Sequence, residues 1–558
     1  LSGSFFHSGN KFRSELISSG PCEISSHKPA DSQMEATTNK SKKRALWAFA
    51  SLLLTPLVLA LPDSLLALWP AAVALGLVFV TKKAPLALGS ACLSALLLIL
   101  LTDRNSFFEW ISPTGGFLAT LTSPWHFYAL LFTLLLGSLS AVIEASGGLL
   151  ALLHAGGEIT EKTRRRFLNS VLGIGLLCFF DGLANALMLG RVARPVADRL
   201  QVPRAYLAYL VDTTSSAVAC LAFLSTWIVT QLGYIATHSP LDTPPYLQFL
   251  SSLPYNYYCL FGLALAILSV RYRWLIGPMR RRFENLDTPP KDTNRMSPGR
   301  TSPVRALVPV LVLLLSLPLI IFFSYTPEKD VSLSLRIQES LNAATVPRAF
   351  VISSLLALIA ACLTYPPTRR AETPRAAWSG ARQLIPALGI LLLAWVLGSL
   401  FKVLGTAGVL ASLLGSWLPL EALASGVFVL GCFISFVSGT SWGTMGLLLP
   451  LVLPLCGAMV TAQGAPPETL EVIVPAVIGA VFGGAVFGDH CSPYSDTTIV
   501  SALASGVSTH EHTITQLPYA LVAAGATVAL GYVPVALGLP AWMALATGLA
   551  LLTAIVAV

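Results

Sequence analysis

The sequence predicts an all-α polytopic membrane protein of about 12 transmembrane spans plus two re-entrant hairpins, arranged as an inverted repeat with broken helices. Three observations carry this expectation. The 558-residue chain is 54% hydrophobic and 11% charged, with a mean hydropathy of +0.72, outside the range of a soluble globule. Its apolar residues fall into many separate runs of span length. Four aspartates, Asp181, Asp212, Asp489 and Asp496, interrupt or border such runs. An unpaired acid at the bilayer centre costs ~2.5–3.5 kcal/mol, and intramembrane acids mark ion or substrate paths.

The N-terminal piece Leu1 to Gln33 is polar and Ser-rich and has no uninterrupted apolar run of the signal-peptide kind. Met34, followed by EATTNKSKKR, makes a natural cytoplasmic start. The piece before it is expected to be disordered or an over-extended reading frame. Residues 1–44 as a whole are expected to form a disordered cytoplasmic segment.

Apolar runs place spans near 45–61, 64–81, 84–101, 123–145, 205–233, 251–270, 306–324, 349–365, 384–401, 472–505, 517–536 and 540–557. Basic residues orient them, because cytoplasmic loops carry the excess of Lys and Arg. Lys40, Lys42, Lys43 and Arg44 put the N-terminus inside, Lys82 and Lys83 follow two spans, and Lys162, Arg164, Arg165 and Arg166 follow four. A simple span at 167–190 would strand Arg191, Arg194, Arg199 and Arg204 outside. A hairpin that enters from the cytoplasm, turns near Asp181-Gly182 and returns removes the conflict. The segment Arg271 to Arg305, with nine Lys/Arg against three acids, then becomes a cytoplasmic linker. Arg369, Arg370 and Arg375 also fall inside. A second hairpin at 421–463, entered from outside, turns at Ser438 to Gly443, and the C-terminus ends inside.

The chain thus divides into a first extra span plus first repeat at 45–270, the linker at 271–305, a second inverted repeat at 306–538 and a last span at 539–558. Asp212-Thr213-Thr214 follows the first hairpin and Asp496-Thr497-Thr498 the second, at matching places in the two proposed repeats.

The stretch Val481 to Gly506 organises the second half. Its apolar lead-in, Val472 to Gly488, has 17 residues, roughly 25 Å of helix. It ends in DHCSPYSDTT, with Gly488 and Pro493 expected to break the helix. Non-helical backbone at membrane depth is tolerated only where it is buried in protein or lines an aqueous cavity. Gly479, Gly483, Gly484 and Gly488 repeat at helical spacing and are expected to allow close helix packing. Glu144, Glu421 and Glu471 read as interfacial. His490 is either a proton relay or a hydrogen-bonded structural residue, and Trp442 either packs against its hairpin tip or gates it.

The net charge of +8 fits basic cytoplasmic loops and does not call for nucleic acid. Nine scattered cysteines with no CxxC pair give no disulfide framework and no zinc site. There is no GxxxxGK[ST] phosphate loop, hence no sign of ATP-driven transport and no cofactor.

GDHCSPYSDTTIVSALASG, followed by THEHTITQLPYAL, resembles the signature region of the NhaC-type sodium/proton antiporters. FFDGLANALMLGRVARPVADRLQVPRAYLAYLVDTTSSAVACLAFLSTW and FVSGTSWGTMGLLLPL resemble two further blocks of that family, so the likeness spans both repeats. It implies membership of a wider ion-transporter group with paired re-entrant hairpins. One departure stands out: Gly182 takes the place where the family pattern has a second acid after the hairpin aspartate, so ion stoichiometry does not carry over. The family also contains sodium-coupled exchangers of organic anions such as malate and lactate.

The expectation is a secondary transporter of the bacterial inner membrane that exchanges Na+ for H+, not an enzyme. Oxygens from two broken helices and two hairpin tips would form a midplane site. Asp496 and Asp212 are expected to contact Na+, with Thr497, Thr213, Ser492 and Ser441 supplying neutral oxygens. Asp489 is expected to be the principal proton acceptor, while Asp181 and Asn185 come from the first hairpin. The partners are Na+, protons and the lipid bilayer, with a homodimer left open. An organic-anion exchanger is the alternative within transport. A channel lacks a repeated pore-filter motif, and a membrane enzyme lacks an oriented nucleophile–base–acid set.

Overall fold

A computed structural model describes residues 46–557 apart from 61, 82, 113–115, 149–150, 152–160, 285–301, 325–339, 341–345, 415–417 and 494. The expected N-terminal segment 1–44, Lys82 and residues 285–301 of the linker lie outside the described residues. Among the described residues every regular element is helical.

The principal helices are α1 (Trp69–Thr81), α2 (Ala84–Thr102), α3 (Pro124–Ser146), α4 (Glu161–Leu177), α5 (Gly182–Arg199), α6 (Arg204–Leu221), α7 (Thr226–His238) and α8 (Tyr257–Tyr272). In the second half they are α9 (Val304–Ser324), α10 (Val346–Thr364), α11 (Thr373–Val403), α12 (Leu420–Ser438), α13 (Ser441–Ala462), α14 (Leu470–Cys491), α15 (Asp496–Ser505), α16 (Thr509–Ala526) and α17 (Ala541–Ala557). Ten of the described helices are long and apolar enough to cross a membrane, or up to eleven if α6 and α7, bent by 48°, count as one broken span.

Two expectations shift. Leu46–Ala60, Trp69–Thr81 and Ala541–Ala557 are apolar helices below full span length, so three of the twelve expected spans are short. The arms of the expected hairpin at 421–463, α12 and α13, have 19 and 22 residues, and each has span length and composition. The polar Ser438–Gly443 stretch locates a turn, but the apolar length on either side of it sets how far the arms extend.

The breaks have local causes. Gly439, at φ +66°, ends α12 in the left-handed region, where a Cβ is costly. Thr440 then caps α13 by accepting from the Gly443 N–H at 3.1 Å. Ser225 caps α7, accepting from Trp227 and Ile228 at 3.2 Å each. Ser508 accepts from the Glu511 N–H at 3.2 Å to start α16. In α14 the helix runs through Gly488 to Cys491 and stops only before Pro493. Gly488 is therefore not a breaker, contrary to expectation, because proline removes a donor and restrains its predecessor whereas a packed glycine stays helical.

The glycine stripe of α14 does bring helices close. A Cβ on Gly484 would lie 2.9 Å from the Phe428 carbonyl oxygen and 3.1 Å from the Cys432 nitrogen, and one on Gly488 would lie 2.4 Å from the Ser435 carbonyl carbon. Ser435 Oγ donates to the Gly484 carbonyl at 2.6 Å across the same contact. Because the neighbours are backbone, α12 and α14 must separate to admit a side chain. Gly484→Ala is expected to cost about 1–3 kcal/mol, read as a lowered Tm in detergent. An unchanged Tm would contradict this account of the packing.

The basic segments gather at one end of the bundle. The Arg164 Nε–H donates to the Leu200 carbonyl at 2.9 Å, so the two ends of the α4–α5 pair meet. Arg204 pairs with Asp198 at 2.8 Å and donates to the Gly506 carbonyl at 3.2 Å. Arg282 pairs with Glu511 at 3.0 Å, and Arg305 reaches the Ser146 carbonyl at 3.5 Å. At the other end, Thr237 meets His126 at 3.4 Å, and Gln463 donates to the Leu418 carbonyl at 2.9 Å, joining the outer ends of α12 and α13. Glu421 and Glu471 are exposed and Glu144 is half-buried.

Candidate functional site

Four chain breaks converge. The tips of the α4–α5 and α12–α13 pairs and the interruptions in α6–α7 and α14–α15 all contribute to one cavity of about 160 Å³. Asp181 comes from the first tip, Thr440 and Ser441 from the second, Thr226 from the third break, and Asp489, Ser495, Asp496 and Thr497 from the fourth. Trp227 and Trp442 form part of its wall, edge to face at 6.2 Å, so Trp442 packs beside its own tip. The Thr226 N–H donates to the Phe180 carbonyl at 2.9 Å, tying the first tip to the α6–α7 break.

Asp181 and Asp489 are both buried acids of this cavity, and Asp489 is the deeper, 2% exposed against 5%. The Asp489 Oδ1 accepts from Ser495 Oγ at 2.9 Å, and among the described residues its Oδ2 has no hydrogen-bond partner. Its carbonyl oxygen accepts from Thr497 Oγ1 at 3.3 Å and from Thr498 Oγ1. These bonds fold α15 back onto the end of α14. Asp496, the first residue of α15, is exposed toward the cavity. The Lys83 ammonium is near enough to act on it electrostatically. A carboxylate with one free oxygen, two further carboxylates and several hydroxyls make a set of hard oxygen donors.

The remaining expected site residues lie elsewhere. Asp212 is fully buried in the middle of α6 and is not part of this cavity's lining. Ser501 Oγ donates to its Oδ1 at 3.0 Å, Gln516 Nε2 donates to its Oδ2 at 2.9 Å, and His512 Nε2 lies 3.3 Å from Oδ2. Thr213 is likewise mid-helix. The α6–α7 break comes at 222–225, after Asp212-Thr213-Thr214, whereas Asp496-Thr497-Thr498 opens the helix that follows the α14–α15 break. The two matching triplets therefore do not occupy equivalent places relative to their breaks. Asn185 donates to the carbonyls of Gly175 and Thr214 at 3.0 Å each, holding α5 against α4 and α6. Ser492 is buried within the α14–α15 break. Gly182 begins α5 where a Cβ would come 3.2 Å from the Ser215 carbonyl oxygen, a contact that favours the smallest residue. His490 makes a 2.9 Å hydrogen bond with the Tyr258 hydroxyl.

Two residues that the sequence pattern does not single out are Ser495, which anchors Asp489, and His512, which lies 3.3 Å from Asp212. The S-x-x-E pattern at Ser508–Glu511 was the available signal that α16 starts early enough to carry His512 inward.

The chain matches the model of the Na+/H+ antiporter family over residues 207–536. An uncharacterized protein of Haemophilus influenzae is 31% identical over 416 residues, covering 73% of this chain and 78% of that one. A malate-2H(+)/Na(+)-lactate antiporter of Bacillus subtilis is 31% identical over 134 residues, and an uncharacterized Na(+)/H(+) antiporter of Haemophilus influenzae 32% over 129, each covering 23% of this chain and 24% of the relative. The crystal structure of the Alcanivorax borkumensis YdaH transporter superposes with a TM-score of 0.55 at 15% identity, covering 86% of this chain and 99% of that one. That likeness is one of fold.

Proposed function

The chain belongs to the Na+/H+ antiporter family, and we propose that it exchanges Na+ for H+ across the bacterial inner membrane by alternating access. It is a multi-pass membrane transporter, not an enzyme. The observation that carries the exchange reading is the unpartnered Oδ2 of buried Asp489 in a cavity shared with Asp181 and Asp496. A carboxylate so placed binds either a proton or a cation, and that competition is the coupling an exchanger needs. Asp489 is the proton acceptor, and Asp496, with Thr497, Ser495 and Ser441, holds Na+. The two tips would act as re-entrant hairpins of a mobile core, moving against a scaffold of spans near both termini.

The end that gathers Arg164, Arg204, Arg282 and Arg305 would face the cytoplasm, together with both chain termini. Single cysteines at Gln201 and Thr237, in a background lacking native cysteines, are then expected to react differently with an impermeant thiol reagent. In intact cells Thr237Cys should label and Gln201Cys should not. Periplasmic labelling at 201 would overturn the hairpin and the inverted repeat.

One observation favours a second reading. Helices α5, α7, α13 and α15 begin at or next to the cavity, and helix N-termini attract anions. A relative is named for malate and lactate. These four N-termini equally offset the three aspartates, and among the described residues no Lys or Arg lines the cavity, Lys83 acting on Asp496 from outside the lining, so the cation reading is preferred. Proteoliposome flux with Na+, K+, malate and lactate tests both. Sodium-dependent proton flux without an organic anion supports exchange, whereas flux that requires malate or lactate overturns it in favour of the second reading.

A further inference from the structure

We infer that the chain holds a binding site for a phosphate-bearing anion at the end of the bundle where its arginines gather, in a cavity of about 480 Å³ bordered by α4, α6 and α8. This cavity shares no lining residue with the one that holds Asp181, Asp489 and Asp496, so it exists whatever ion that site carries. Its volume falls within the roughly 300–1,000 Å³ of small-ligand pockets.

Four guanidinium groups border this one space. Arg164 and Arg165 come from the start of α4, Arg271 from the end of α8, and Arg273 from the turn that follows. Among the described residues no Asp or Glu lines the cavity, and none of the four arginines pairs with a carboxylate. Arginines nearby do find acids: Arg204 pairs with Asp198, and Arg282 with Glu511. Basic loops orient a membrane protein wherever on its inner face they fall, so orientation alone does not call for four arginines around one concavity. A cleft lined by charges of one sign concentrates the opposite ion. Phosphate suits this set, because each planar guanidinium can donate two parallel bonds and a phosphate has oxygens for more than one such fork.

The pocket is preformed. At its floor the Tyr206 hydroxyl and Ser269 Oγ, both buried, lie 2.9 Å apart and tie α6 to α8. Phe283, from the short helix Gly277–Glu284, meets the Tyr206 ring edge-on at 5.1 Å and closes one side. Arg273, at φ +55°, ends α8 in the left-handed region that non-glycine residues rarely take. The turn returns the Trp274 N–H to the Ser269 carbonyl at 3.2 Å and leaves Arg271 and Arg273 on the same cavity. The Arg271 guanidinium also lies over the Tyr272 ring, 5.3 Å from its centre, which restrains it.

The phosphate can belong to the headgroup of an anionic phospholipid, which basic pockets between membrane helices take, or be free in solution. Two probes applied to the purified full-length protein in detergent separate these sources. Inorganic phosphate is followed by calorimetry, and dioleoylphosphatidylglycerol, mixed with dioleoylphosphatidylcholine, is counted by native mass spectrometry. Saturable binding at one per chain is expected, retained phosphatidylglycerol identifying the lipid source and bound phosphate the soluble one. Arg165→Gln combined with Arg271→Gln, both at exposed positions, should weaken binding by at least about tenfold. Arg375→Gln, exposed and outside the cavity, should leave it unchanged. If the double variant does not fold, Arg273→Gln alone, also exposed, should show a smaller loss of the same kind. No saturable binding of either probe overturns the site and leaves these arginines to orient the chain. Binding that the cavity variants do not alter, or that Arg375→Gln weakens as much, belongs to the basic surface at large and overturns it too.

Discussion

Asp489→Asn is expected to bring sodium-driven proton movement to background while the protein still inserts and purifies as a single species. The substitution keeps an oxygen where Oδ1 accepts from Ser495 Oγ at 2.9 Å, so the bond that folds the α14–α15 break is retained. The Asp489 carbonyl, which accepts from Thr497 and Thr498, is untouched. What is lost is the group that titrates, along with the charge on the unpartnered Oδ2. The expected decrease in flux is at least about a hundredfold, the usual scale for removing a proton-carrying group. Na+ binding, measured by calorimetry, should remain detectable through Asp496 but lose its dependence on pH. A purely structural Asp489 predicts the reverse, a lowered Tm with flux per folded molecule intact. Wild-type exchange in a folded Asp489→Asn protein would remove this residue from the mechanism.

The breaks in the fold were legible because their causes are written locally. Gly439 before Thr440 and Pro493 within a polar string each stop a helix, and Asp181-Gly182 in an apolar run marks where α5 begins after the break from α4. The glycine spacing in α14 was legible for the same reason, since small residues at helical intervals predict close packing. The depth of a hairpin was less legible: 421–463 with a turn at Ser438 to Gly443 is matched by α12 and α13, and each arm has the length and composition of a span.

The partners of the buried acids were not legible. Asp212 and Asp496 open identical Asp-Thr-Thr triplets, yet one lies in mid-helix among Ser501, His512 and Gln516 while the other begins a helix at the cavity. Residues some three hundred positions away decide that difference, and one sequence without its contacts cannot display them. Ser495 was overlooked for a simpler reason. It sits between two aspartates whose charge is the stronger signal, although a hydroxyl six residues after Asp489 and across a proline turn is well placed to hold its carboxylate.

Asp212→Ala is expected to have the largest effect on folding of any single substitution considered. The Asp212 carboxylate joins α6 to both α15 and α16, accepting from Ser501 at 3.0 Å and Gln516 at 2.9 Å, with His512 at 3.3 Å. All of this occurs at zero exposure. Alanine leaves two donors and an imidazole facing an apolar methyl, and removing one member of a buried charged network costs about 3–5 kcal/mol. The yield of monodisperse protein should drop sharply and Tm should fall by many degrees. Asp212→Asn retains an oxygen for one donor and should lie between alanine and wild type. That ordering separates a clamp from a main-cavity ligand. A residue that only held transported Na+ in the cavity would lose flux on substitution by either residue and keep its Tm. Wild-type yield and Tm in Asp212→Ala would show that the three contacts do not hold α6 in place, and would return Asp212 to the list of direct Na+ ligands.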